Sequence, residues 1–68
     1  MVLTSVDAVI DTIGSEAAQR LAGVGASAVS NWRARGRLPS ELFLVFMGEL
    51  EKSNTTADPA LFGLLVRQ

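Results

Sequence analysis

The chain has 68 residues, which leaves room for one domain; folding at this size hides only about 60% of the unfolded surface, so a surplus apolar face tends to seek a partner. An apolar fraction of 49% against 19% charged residues suits a packed globule, and the lack of Cys and His excludes disulfides, thiol nucleophiles, the usual zinc sites and imidazole proton transfer, so no metal or cofactor is expected. The net charge of −1 conceals three blocks: Asp7, Asp11 and Glu16 give −3, Arg20, Arg33, Arg35 and Arg37 give +4, and Glu41, Glu49, Glu51 and Asp58 against Lys52 and Arg67 give −2. A basic middle between acidic flanks suggests one anion-contacting surface, although a set of solvated arginines would produce the same pattern.

The N-terminal residues carry no positive charge ahead of their apolar positions, and Asp7 and Asp11 interrupt the apolar stretch, so the segment does not read as a secretory signal and a cytoplasmic location is expected. Thr4 followed by Asp7 resembles a capping box, and Val6, Val9, Ile10 and Ile13 recur at helical spacing up to Gly14, predicting helix one. Ser15 is a suitable N-cap, Glu16 suits the positive first turn, and Ala17 to Ala22 consists mostly of strong helix formers ending at Gly23, predicting a short helix two. After Gly23-Val24-Gly25, the run Ala26 to Ala34 predicts a short amphipathic helix three with Val29 and Trp32 on one face and Ser27, Ser30, Asn31 and Arg33 mainly on the others.

Gly36 ends that helix, Pro39 fits the first turn of the next, and Ser40-Glu41 supplies a cap and a favourable charge for helix four, expected to reach about Lys52. Its run from Leu42 to Met47 is the longest uninterrupted apolar stretch, at six residues, far short of the roughly 20 a membrane span requires. Asn54-Thr55-Thr56 breaks the pattern, and Asp58-Pro59 reads as an N-cap with proline at N1 before Leu61, Phe62, Leu64, Leu65 and Val66, predicting helix five. The expected fold class is all-α, five short helices in a single domain over 1–68.

The segment Leu21 to Pro39, LAGVGASAVSNWRARGRLP, resembles the turn and recognition helix of the lambda repressor-like helix-turn-helix family, in particular its small Cro-like and antitoxin-type members. The likeness covers about residues 15–37, and the helix order extends it loosely over the chain. It implies that Gly23 is the turn glycine, that Val24 and Val29 lock the two helices together, and that Trp32 is the large buried residue near the end of helix three. The outward positions become Gly25, Ala26, Ser27, Ser30, Asn31 and Ala34. Two residues depart from the pattern: Gln19 stands where the family usually packs an alanine, a role a one-residue shift gives to Ala18, and Gly25 stands where a serine or threonine often caps helix three.

These residue types suit DNA. Asn31 can pair bidentately with adenine N6 and N7, Ser27 and Ser30 can reach base edges or phosphate, and Ala26 can contact a thymine methyl. Arg33, Arg35 and Arg37 suit phosphates, as do Ser15, Gly25 and the N–H groups of a helix N-terminus. Arg37 could instead bond the carbonyls at the end of helix three or pair with Glu41.

On helix four, Phe43, Leu44 and Met47 widen the apolar arc beyond what one small core covers. With Phe62 and Leu65 of helix five they are the expected interface of a homodimer that sets two recognition helices about 34 Å apart on a palindromic operator; alternatively helix five closes the monomer core. The leading expectation is a sequence-specific double-stranded DNA-binding transcriptional regulator, most simply a phage- or bacterial-type repressor, cytoplasmic and nucleoid-associated. The competing class is a protein-interaction module that binds RNA polymerase, a sigma factor or a toxin. An enzyme is not expected, because seven carboxylates are the available general bases and none has a nucleophile or metal partner at useful spacing.

Overall fold

Each helix of this protein is bounded by a residue that its backbone geometry requires. In the computed structural model, which describes residues 2–63, α1 spans Val6–Ile13, α2 Ser15–Ala22, α3 Ala26–Arg35 and α4 Phe43–Glu51. Ser5 caps α1: its backbone is extended and its Oγ accepts a hydrogen bond from the Ala8 N–H at 3.2 Å, so the cap falls one residue after the expected Thr4. Gly14, at φ 97°, ends α1 by donating its N–H to the Ile10 carbonyl at 2.7 Å and starts α2 by accepting from the Ala18 N–H at 2.9 Å. That double role needs a positive φ, and it makes Ser15 the first helical residue rather than the cap.

The helices end in a recurring way. At Gly23 the chain turns left-handed, with Gly23 N–H donating to the Arg20 carbonyl and Val24 N–H to the Gln19 carbonyl, the paired bonds of a Schellman motif. Gly36 also turns left-handed after α3, with both its own N–H and that of Arg37 donating to the Trp32 carbonyl, and Asn54, at φ 57°, closes α4 with its N–H bonded to the Glu51 carbonyl and Thr55 N–H to the Leu50 carbonyl. Pro39 is extended and precedes a 3₁₀ turn, Ser40–Leu42, that leads into α4, so the expected proline start of helix four lies outside the α-helix.

The chain is mostly helical, with four α-helices among the described residues rather than five. The expected helix five is a 3₁₀ turn, Pro59–Phe62. Asp58 caps it through Oδ1, which accepts the Ala60 N–H at 2.9 Å, and Gly63 in the left-handed region stops it after four residues. Leu64, Leu65 and Val66 lie outside the described residues. A short parallel ladder was also not expected: β1 (Val2–Leu3) pairs with β2 (Thr56–Ala57) in the register Val2 to Thr56 and Leu3 to Ala57. The Asp58 N–H continues it to the Leu3 carbonyl at 2.9 Å.

The core draws on both strands, all four α-helices and the Pro59–Phe62 turn: Leu3, Val6, Val9, Ile10, Ala18, Val29, Trp32, Leu38, Phe46, Leu50, Ala57 and Phe62 are buried. Its centre is a chain of edge-to-face aromatic contacts, from Trp32 to Phe46 at 6.1 Å, Phe46 to Phe62 at 6.2 Å and Phe62 to Phe43 at 5.2 Å between centroids. Phe62 is therefore a core residue, 1% exposed, and not free to form the expected dimer interface. Phe43 and Met47 are half-buried against the same cluster, which leaves Leu44, 80% exposed, as the one expected interface residue among those described that projects from α4. Among the described residues no helix is long and apolar enough to cross a membrane.

Candidate nucleic-acid interface

Two short helices meet at the Gly23-Val24-Gly25 turn, and their burial decides which side of α3 is available. On α2 the buried residue is Ala18, while Gln19 is half-buried with its Nε2 donating to the Ser15 Oγ at 3.3 Å. The fully buried small side chain of α2 is thus Ala18, not Gln19. On α3, Val29 and Trp32 are buried and Ala28 is half-buried. Each helical residue rotates the next by about 100°, so the side opposite Val29 and Trp32 carries Ser27, Ser30, Asn31 and Ala34, all exposed, with exposed Ala26 on its flank.

Gly25 precedes α3 in an extended conformation and supplies no side-chain cap; a Cβ there would meet nothing within 4 Å. Val24 does not lock the helices as expected. It is 37% exposed, because the left-handed turn at Gly23 sends the chain away from the core. Ser15 is exposed at the start of α2, on whose first turn no side-chain cap falls.

The four arginines of the basic block differ in what they touch. Arg33 Nη1 donates to Asp7 Oδ1 at 2.9 Å and Nη2 to Asp11 Oδ1 at 3.0 Å, with the arginine side chain 35% and the carboxylates 66% and 70% exposed. These hydrogen bonds, to Asp11 first and then to Asp7, hold the Arg33 pKa above the ordinary arginine value. Arg33 is thus not the free phosphate ligand it was expected to be. Asp7 and Asp11 stand one helical turn apart, the spacing that lets one guanidinium fork bridge both. Arg20, Arg35 and Arg37 are exposed and form no ion pair with any described residue; in particular Arg37 does not pair with Glu41.

Sequence reasoning missed three participants. Asp7 and Asp11 showed their signal in the i, i+4 spacing, but nothing local assigns them a partner more than twenty residues away. Arg20 stood in the basic block, and its exposure beside the turn follows from α2 burying only Ala18. The arrangement offers an exposed polar face on α3, with Arg35 on its flank forming no ion pair with any described residue. Among the described residues no cluster of metal-ligating side chains occurs.

No protein-family model, curated protein or solved structure matches this chain.

Proposed function

We propose that this chain is a sequence-specific double-stranded DNA-binding regulator of the lambda repressor-like helix-turn-helix type, non-catalytic, acting most simply as a repressor by promoter occupancy. The observation that carries the reading is the face of α3: short polar and small side chains opposite the Val29 and Trp32 anchor, after a tight glycine turn. In this reading α3 enters the major groove. Asn31 pairs with adenine, Ser27 and Ser30 reach base edges, and Ala26 meets a thymine methyl. Arg35 and Arg37, with Ser15 and Gly25 at two helix N-termini, contact phosphates and set register. Two copies associate through the exposed Leu44 on α4, edged by Phe43 and Met47, and read a palindrome in the cytoplasm at the nucleoid.

The test is selection of duplexes from a random pool at physiological salt. A two-fold symmetric consensus is expected, and Asn31→Ala should lose information at one base position per half-site, at about 1–3 kcal/mol. Recovery of a single half-site removes the dimer. No enrichment, with wild type binding no better than a variant lacking Arg35 and Arg37, removes the DNA reading. The exposed apolar Leu44 and Val45 favour the second reading, a protein-interaction module for RNA polymerase, a sigma factor or a toxin. That reading predicts no salt-dependent duplex binding.

A further inference from the structure

Resting on the reading of α3 as the DNA-contacting helix, we infer that Arg33 is a positioning residue: braced by Asp7 and Asp11, it fixes the rotation of α3 about its own axis and contributes no phosphate contact. Val29 and Trp32, the two buried side chains of α3, lie close to one line along the helix, with only the methyl of half-buried Ala28 beside them against the core. A helix anchored mainly along one line can still roll. Arg33 lies on the flank of that line, one helical turn after Val29, and its two bonds reach two successive turns of α1.

The fork geometry makes the brace directional. Two nitrogens of one planar guanidinium each meet a different carboxylate, at 2.9 Å and 3.0 Å, an arrangement that a single ammonium point charge cannot reproduce. Exposed ion pairs add little to stability, so what the brace supplies is orientation. A roll of about 10° at the outer radius of a helix moves a side-chain tip by about 1 Å, enough to spoil a bidentate pair between Asn31 and a base. The charge argument agrees. Arg33 with two aspartates is a cluster of net charge −1, which repels an approaching phosphate instead of attracting it.

The experiment compares wild type, Arg33→Gln, Arg33→Lys, Arg35→Gln and the double variant Asp7→Asn/Asp11→Asn. Each is titrated with the selected duplex and a scrambled duplex over a range of salt, and emission of the buried Trp32 checks that each is folded. In Arg35→Gln the slope of log affinity against log salt should fall by about 0.9, the value for one phosphate contact. In Arg33→Gln it should stay at the wild-type value. The ratio of selected to scrambled affinity should drop roughly tenfold in Arg33→Gln and also in the double aspartate variant, the worth of about one base contact. The aspartate result is the discriminating one, because that protein is two charges more positive and binds better if charge alone matters. Arg33→Lys, which keeps the charge without the fork, should show the same lost ratio and serves in place of Arg33→Gln if that variant is unfolded.

A slope lowered by about 0.9 in Arg33→Gln makes Arg33 a phosphate ligand and overturns the inference. So does an unchanged ratio in the double aspartate variant, which reduces the brace to a surface ion pair. If wild type binds no duplex, the DNA reading itself fails and the inference falls with it.

Discussion

Phe62 gives the sharpest test of how the C-terminal segment is held. Its side chain is 1% exposed, and its ring meets Phe43 at 5.2 Å and Phe46 at 6.2 Å, both edge-to-face. Truncation to alanine removes the ring from a closed core and should cost about 3–5 kcal/mol. A domain of this length is stable by only about 3–10 kcal/mol, so Phe62→Ala should be close to unfolding at room temperature. Phe62→Leu keeps most of the volume and loses the two aromatic contacts, for about 1–2 kcal/mol.

Urea unfolding followed by Trp32 emission reads both changes. With a slope of about 1 kcal/mol per M, a cost of about 3–5 kcal/mol should lower the alanine variant's midpoint by about 3–5 M. The decisive control is protein concentration. A core residue lowers the midpoint equally at two concentrations, whereas loss of a dimer contact lowers it in a concentration-dependent way. A Phe62→Ala midpoint equal to wild type, or a deficit that vanishes at high concentration, would refute the core assignment.

Three further outcomes rest on local geometry. Gly36 sits at φ 69° and ψ 30°, so Gly36→Ala should destabilise by about 1–2 kcal/mol in the same urea assay and Gly36→Asn by less. Asp58 accepts the Ala60 N–H at 2.9 Å, and Asp58→Ala should cost about 1 kcal/mol, read as a lower melting temperature. The raised pKa of Arg33 means that any stability its proton binding adds is whole below the ordinary arginine value and lost only as pH rises through the higher folded one. With no His, Cys or Tyr in the chain, the α-amino group aside, melting curves between about pH 6 and 9 should superimpose. A midpoint that moves within that range in protein whose α-amino group is acetylated contradicts this assignment.

The first four helices were legible because their causes are local. Val6, Val9 and Ile10 recur at the helical period, and Gly14, Gly23 and Gly36 take the positive φ that ends a helix, an event settled within a few residues. The buried pair Val29 and Trp32 on α3 was legible for the same reason, and with it the exposed side bearing Ser27, Ser30 and Asn31. The last helix was over-read: Leu61, Phe62, Leu64 and Leu65 have helical composition, but Gly63 between them adopts the left-handed conformation and closes the turn. Composition counts apolar residues and does not register the one position where the backbone reverses.

By itself, then, the sequence determined the existence and order of the first four helices, the glycines that end the first three, and the small polar surface that α3 presents. Tertiary structure alone decided the partner of Arg33, the burial of Phe62, the exposure of Val24 and the pairing of Leu3 with Ala57. The physical reason is range. Helix periodicity and caps act over a few residues, whereas ion pairs, aromatic contacts and strand pairing join groups tens of residues apart. Which of them meet is set only once the chain has closed on its core.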